Sequence, residues 1–390
     1  MVLDNRNQVG RLIMNRLLCF FILFLFLFSA PAFAESKDRI PIPPPAFEVD
    51  QTRSDPDRPA RAHGRYYNGP IIDTHAHLYP PRERDDNDKD SGWDGSASDI
   101  DHGKLKEILE VIRDSGVELI IFMPTPNDGI RRNQELGVVR RKMIRDMDKN
   151  RVKVFCGSNY ITVWLDSAYN SEQYTEAEIQ GILKRLEEDM NSGDFGGVGE
   201  IAIYHFDKGF RGQNVLKFSP DFEPFLRIVD LVAKKGMWLD LHAEPVTPDG
   251  KSYEKEVFGG IELLYQRNPS LKLIYSHTAM TNPTNVRRIL KKYPNIMMNI
   301  KAITKHRWWK NLEPVVNTDG ELYEDWAGLF EEMPERFMIG TDSHFGRKGF
   351  TLPKYEKKIE RARAILGALE PGIARLIAYE NAKRLFIDNQ

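Results

Sequence analysis

The stretch Ile71-Ile72-Asp73-Thr74-His75-Ala76-His77 decides between two α/β folds. Its apolar start is typical of a buried strand, and its two histidines stand where a doubly wound sheet normally carries a glycine-rich phosphate loop. Side chains two positions apart on a strand share a face, so both imidazoles can reach one cation. The stretch therefore favours a (β/α)8 TIM barrel whose first strand ends in a metal-binding pair.

Seven further apolar runs, most followed by a helical pattern, complete the barrel that the first stretch predicts. Their near-continuous apolarity is typical of parallel strands that are buried on both faces. No repeat of 20–50 residues is present, which excludes a solenoid. The eight predicted strands are Ile71–Thr74, Val117–Met123, Val152–Gly157, Gly197–Ile201, Met237–Leu241, Leu271–Ser276, Ile296–Ile300 and Phe337–Thr341.

Helical patterns fill much of the sequence between these strands, and two more close the chain. The alternation of strand and helix is what an α/β barrel requires. The predicted helices are Lys104–Asp114, Glu176–Met190, Asp221–Lys235, Val257–Arg267, Asn285–Lys292, Glu356–Gly367 and Pro371–Phe386.

Metal-capable side chains end five of the eight predicted strands. The carboxyl ends of barrel strands converge on one mouth, where catalytic residues gather. Imidazole and carboxylate are common ligands of divalent metals. The sequence thus predicts one metal centre with the ligands His75, His77, Glu200, His242, His277 and Asp342. Asp342 is also the predicted catalytic base, because a carboxylate there can take a proton from the attacking water.

Glu200 has three possible roles at the end of the fourth strand. Its carboxylate could bridge two cations about 3.5–4 Å apart, as in two-metal hydrolases. It could instead orient the water beside a single ion, or it could be a satisfied polar group at a strand end. The sequence therefore leaves one or two metal ions open, with zinc as the expected metal.

A basic and aromatic loop follows the seventh strand. We expect Lys301, Arg307 and Trp308 to contact substrate there, and His344 to contact it from beyond the eighth strand. A solvated basic loop is the alternative interpretation of the same residues.

The first residues have the pattern of an export signal. Three arginines precede an apolar run from Leu17 to Phe28, and small residues then end in Ala32-Phe33-Ala34, an A-x-A cleavage signature. We expect a signal peptide over residues 1–34, cleaved after Ala34, a loosely packed or disordered proline-rich leader over 35–68 and a barrel over 69–390. An uncleaved N-terminal anchor is the alternative.

Composition and charge limit the partners of the chain. A net charge of −2 with 55 basic and 57 acidic residues gives no indication of a nucleic-acid partner. We expect a small-molecule substrate, no stable membrane association after signal cleavage, a periplasmic or secreted location and a homo-oligomer as a possibility. Cys156 would be the only thiol left after cleavage, so no internal disulfide can form in the mature chain.

The chain resembles the amidohydrolase superfamily of metal-dependent TIM-barrel hydrolases, in particular its amidohydrolase 2 branch. The branch also contains decarboxylases related to aminocarboxymuconate-semialdehyde decarboxylase. The matching pieces are Asp73-Thr74-His75-Ala76-His77, Ser276-His277, Tyr293-Pro294-Asn295-Ile296, Gly340-Thr341-Asp342-Ser343 and Tyr379-Glu380-Asn381-Ala382-Lys383-Arg384-Leu385-Phe386.

The resemblance implies metal-binding and catalytic roles for His75, His77, His242, His277 and Asp342. Gly199-Glu200-Ile201 departs from the mononuclear members and is similar to the strand-four glutamate of TatD-like hydrolases. The leading hypothesis is a hydrolase whose metal-activated water attacks an ester, lactone or amide-like carbonyl. A metal-dependent non-oxidative decarboxylase and a non-catalytic exported binding barrel are the alternatives.

Overall fold

Eight parallel strands form a closed barrel in the computed structural model of the chain, as the sequence predicts. Each strand pairs with the next along the chain, and the last pairs with the first through Ile339 and Asp73. The strands are β1 (Ile71–Leu78), β2 (Val117–Met123), β3 (Val152–Gly157), β4 (Gly197–His205), β5 (Trp238–Ala243), β6 (Lys272–Tyr275), β7 (Ile296–Ile300) and β8 (Phe337–Ile339).

The structure describes eight ranges of the chain, all within one compact unit, residues 39–390. These ranges are residues 41–55, 57–62, 66–79, 102–126, 134–206, 216–304, 311–347 and 349–388. The predicted signal peptide lies outside them. None of the helices that they contain is long and apolar enough to cross a bilayer.

Helices surround the barrel, and the seven predicted ones are present with ends shifted by a few residues. Three helices were given no bounds by the sequence patterns, namely Gln134–Met147, Ser158–Ser171 and Glu324–Glu332. The second of them is rich in serine, asparagine and β-branched residues of low helix propensity, and its burial stabilises it instead. The helices are α1 (His102–Asp114), α2 (Gln134–Met147), α3 (Ser158–Ser171), α4 (Glu176–Asn191), α5 (Glu223–Lys234), α6 (Glu254–Arg267), α7 (Pro283–Lys292), α8 (Glu324–Glu332) and α9 (Leu352–Gly367), followed by helical segments over residues 371–388.

Two apolar layers hold the barrel together. A large cluster fills the space between strands and helices, and a smaller one fills the barrel interior with residues such as Ile72, Phe155 and Met338. Phe386, from the C-terminal helical segment, belongs to the interior cluster and contacts the rings of Phe155 and Trp238. Phe386 thus helps to close the interior near the strand N-termini, beside a cavity of about 630 Å³ that Val152 and Lys272 also line.

Cys156 lies on β3 and is buried in the outer cluster. Burial raises the pKa of its thiol well above the usual range. A protonated, buried thiol has the packing role that its apolar sequence surroundings indicate.

The N-terminal leader packs more closely on the barrel than the sequence predicts, in the part that the structure describes. The backbone of Asp50 exchanges two hydrogen bonds with the side chain of Asn285 on α7, at 2.9 and 2.7 Å. The guanidinium of Arg58 donates to Glu313 at 2.8 Å, and residues 60–61 pair with residues 322–323 as short strands. Polar contacts and a few apolar side chains, among them Phe47 against Phe258, fix this segment. These apolar residues have no regular spacing, which explains why hydrophobic patterning did not reveal the contact.

Candidate metal centre

The carboxylate of Glu200 lies among four histidine side chains at the carboxyl ends of the strands. Its Oε1 atom is 2.9 Å from Nδ1 of His242 and 3.6 Å from Nε2 of both His75 and His277. Its Oε2 atom is 3.5 Å from Nε2 of His77. Glu200 is 3% exposed, so the structure brings a buried carboxylate from β4 together with imidazoles from β1, β5 and the turn after β6.

Asp342 completes the cluster from the far side. Its Oδ1 atom is 3.2 Å from Nε2 of His77, and its Oδ2 atom is 3.9 Å from Nε2 of His277. Asp342 has a φ angle of 50° and His277 one of 57°, a left-handed conformation that non-glycine residues rarely adopt. Such angles cluster at functional sites, where the surroundings hold them in place. All six predicted ligands thus meet at one end of the barrel.

The inward direction of His75 and His77 depends on an irregularity in β1. Ile72 points into the barrel interior, and strict alternation along the strand would turn positions 75 and 77 outward. The pairing of β1 with β2 is irregular between Asp73 and Ala76. A bulge of this kind changes the face on which the following side chains lie, which brings both imidazoles into the mouth.

Two glycines allow the strands to approach each other at the site. A Cβ atom on Gly199 would lie 2.6 Å from Cβ of Asp240. A Cβ atom on Gly340 would lie 2.7 Å from Cβ of Asn299 and 2.9 Å from Cβ of His75. Glycine is therefore required on β4 and directly after β8 for the cluster to close.

Polar partners outside the six predicted ligands hold the imidazoles in orientation. Nδ1 of His75 is 3.3 Å from Oδ2 of Asp240, and Nδ1 of His77 is 3.2 Å from the Met123 carbonyl. Nε2 of His242 is 3.1 Å from Oε1 of Glu244. Sequence reasoning missed these carboxylates. A signal was present for Asp240, which stands two positions before His242 and so on its face of β5, whereas Glu244 follows the end of that strand.

We expect replacement of Asp240 by asparagine to weaken metal binding by roughly tenfold to hundredfold, the usual effect of losing such a carboxylate–imidazole contact. The side chain is fully buried, and its Oδ1 atom also accepts a hydrogen bond from Ser276 at 2.6 Å. Titration with zinc against a chromophoric chelator measures the affinity. Asp230→Asn, at a partly exposed ion pair with Arg267, is the matched control and should bind as the unaltered protein does.

Charges in the cluster are strongly coupled. Burial acts to raise the pKa of Glu200, but His75 and His242 outweigh it and hold that pKa well below its usual range. Burial acts to lower the pKa of His75, but Asp240 and Glu200 outweigh it and hold that pKa well above its usual range. Burial likewise opposes the charge on His242, whose pKa Glu200 nevertheless raises to about 9. Protons and a metal ion therefore compete for these nitrogens.

The donor set fits a divalent metal ion. Nε2 of His75 and Nδ1 of His242 are buried and face Glu200, yet neither makes a properly directed hydrogen bond. A buried imidazole nitrogen without such a bond is costly unless it binds a cation. Two groups of ligand atoms within 4.8 Å of one another share Glu200, one with His75 and His77 and the other with His242 and His277. The cluster is therefore able to bind metal.

Two of the four predicted substrate contacts lie beside Asp342. Nζ of Lys301 is 2.5 Å from its Oδ2 atom, and Nε2 of His344 is 3.2 Å from its Oδ1 atom. The other imidazole nitrogen of His344 is 3.1 Å from the hydroxyl of Tyr79. Arg307 and Trp308 lie outside the described residues. His205, at the end of β4, is half-buried with its ring 5.4 Å from that of His242.

These features define a closed α/β barrel with a buried histidine–carboxylate cluster that can hold metal at its mouth. No family model matches the chain, and no curated protein matches its sequence. Its fold is similar to that of a Lactobacillus casei protein provisionally assigned as a metal-dependent hydrolase, with a TM-score of 0.50 and 11% identity over 82% of this chain and 96% of that one.

Two other similar structures are enzymes by name. IDCase from Metarhizium anisopliae, in its apo form, gives a TM-score of 0.49 and 13% identity over 82% of this chain and 97% of that one. The 2,6-dihydroxybenzoate decarboxylase from Rhizobium gives a TM-score of 0.47 and 12% identity over 83% of this chain and all of that one. At these identities the likeness concerns the fold. The match to the Lactobacillus casei protein agrees with the barrel fold that the sequence predicts.

Proposed function

We propose that the chain is a metal-dependent hydrolase of the amidohydrolase type, which acts on an ester, lactone or amide-like carbonyl of a small molecule. The observation that carries the proposal is the Glu200 carboxylate, shared by four buried imidazoles within 3.6 Å and closed by Asp342. A structural role for so many ionisable groups in one buried place would be costly, whereas a metal site requires it.

The residues divide into two ligand sets. His75, His77 and Asp342 would hold one cation, His242 and His277 would hold a second, and Glu200 would contribute an oxygen to each. Zinc suits these imidazole and carboxylate ligands. A bound divalent cation supplies Lewis acidity that polarises a carbonyl oxygen and brings the pKa of a water molecule to about 7.

Asp342 moves the proton in this proposal. Its carboxylate accepts a proton as water attacks the substrate and then gives that proton to the leaving group. Lys301 and His344 contact its two oxygens and hold it in one orientation. Burial acts to raise the pKa of Asp342, but Lys301 and His344 outweigh it and hold that pKa well below its usual range, so the carboxylate is ionised.

Metal content tests the proposal directly. We expect the purified protein to contain about two equivalents of zinc or a similar ion, since the ligands form two sets around one carboxylate. Dialysis against a chelator should abolish hydrolysis of a panel of esters and lactones, and added zinc should restore it. Full hydrolysis by protein without any metal would exclude the mechanism, and stoichiometric metal without turnover would indicate a binding protein.

Product analysis separates hydrolysis from the decarboxylase alternative. Incorporation of oxygen from labelled water into the product supports hydrolysis, and release of carbon dioxide supports decarboxylation.

We also propose that the protein is exported to the periplasm or secreted, and that it is cleaved after Ala34. This proposal rests on the sequence of residues 1–34 alone.

A further inference from the structure

A small cavity lies beside the metal centre, between the ends of β7 and β8 and the helix α9. Its volume is about 60 Å³. Lys301 and Thr341 line it from the strand ends, and Lys358 and Arg361 line it from the helix. Lys358, Arg361, Ala362 and Ile365 are spaced three or four positions apart and so share one face of α9. The cavity is thus built from the ends of two neighbouring strands and one face of a helix.

The lining of this cavity is positively charged. Three cations face it, and no carboxylate is among the described residues that line it. Asp342 is the nearest acid that the contacts reveal, and its carboxylate pairs with one of the three cations, Lys301. An excess of positive charge around a partly enclosed space favours an anion there.

Hydrogen-bond donors remain for such an anion. The ammonium group of Lys358 donates to the carbonyl oxygens of Thr341 at 2.9 Å and Asp342 at 2.5 Å, which uses two of its three N–H groups. Arg361 is exposed, and none of its five N–H groups has a partner among the contacts of the described residues. Its planar donor fork suits a carboxylate or phosphate group.

We propose that this cavity binds a phosphate-sized oxyanion, either as a free ion or as an anionic group of the substrate. TIM barrels frequently bind phosphate at the loops after their seventh and eighth strands, which is where the cavity lies. A water molecule needs roughly 10–15 Å³ of such volume, so the cavity has room for several waters or for one small oxyanion in their place. The substrate version of the proposal rests on the hydrolase function, and the free-ion version does not.

Arg361→Gln is the variant that tests the site, with Lys357→Gln as its matched control. Both residues are exposed cations on α9, but only Arg361 lines the cavity. Isothermal titration with inorganic phosphate should give a dissociation constant about fivefold higher for Arg361→Gln, the effect of one partly screened charged contact, and no change for Lys357→Gln. Equal affinity in the two variants would overturn the proposal.

Titration of the protein before and after metal removal distinguishes this cavity from the metal centre. We expect phosphate binding to persist without metal and to stay sensitive to Arg361→Gln. If phosphate binding is lost with the metal and is unchanged by Arg361→Gln, the anion binds to the metal, and the proposed site is refuted. This comparison needs no turnover, so it gives an answer even when the hydrolase proposal fails.

Kinetics with two matched substrates identify the source of the oxyanion. An increase in KM of about fivefold in Arg361→Gln for an anionic ester, without change for its neutral analogue, assigns the cavity to a group on the substrate. Equal KM values for both esters, together with weaker phosphate binding, assign it to a free ion. Either result supports the site.

Discussion

Replacement of Glu200 by glutamine should remove most of the bound metal and lower kcat/KM by about 1000-fold, since a metal ion contributes several kcal/mol to the reaction barrier. Glutamine has the same shape but lacks the negative charge that four imidazoles and the proposed cations share. Elemental analysis and steady-state kinetics on the same preparation measure the two effects.

Glu188→Gln is the matched control for this variant. Glu188 lies on α4 with 65% of its side chain exposed, and the same substitution there should leave metal content and rate unchanged. Circular dichroism checks that both variants are folded. If Glu200→Gln kept its metal and its rate, the carboxylate would be only a polar strand end, the least functional of the three roles that the sequence allows.

Asp342→Asn should lower kcat by a factor of about 100–10,000, the usual contribution of a positioned acid–base group, with little change in KM. The amide cannot accept a proton, although it can still occupy the place beside Lys301 and His344. The loss of turnover should exceed the loss of metal, because the four imidazoles and Glu200 remain. Kinetics and metal analysis together therefore separate this variant from Glu200→Gln.

The control for Asp342→Asn is Asp319→Asn, at an exposed loop position outside the barrel mouth. Unaltered kcat in Asp342→Asn would show that another group moves the proton. Carbon dioxide release that continues in the variant would further favour the decarboxylase alternative.

The strands of the barrel could be predicted because a strand that is buried on both faces is a nearly continuous run of apolar residues in the sequence. The order of the six predicted ligands followed from the same pattern, since each stands at or just beyond an apolar run. Their meeting at the strand carboxyl ends is what barrel geometry requires. For this reason the sequence predicted which residues the structure brings together, while their roles as ligands stay a proposal.

Other features of the fold and the site have no comparable sequence pattern and could not be predicted. The irregular pairing between Asp73 and Ala76 depends on how β1 aligns with β2. The apolar pattern of either strand does not show where that alignment shifts. Asp240 was missed although it stands two positions from His242, because the sequence does not show which imidazole its carboxylate contacts. α3 was missed because tertiary burial outweighs its low propensity. Each of these features is decided by contacts that are distant along the chain.

The attachment of the leader to the barrel sets an order of events during biosynthesis. Asp50 binds Asn285, which follows it by 235 residues, and Arg58 binds Glu313, which follows it by 255. The leader therefore leaves the ribosome well before these two partners are made. The contacts of Asp50 and Arg58 can form only after α7 and the segment around Glu313 have been synthesised, so these non-local contacts form late.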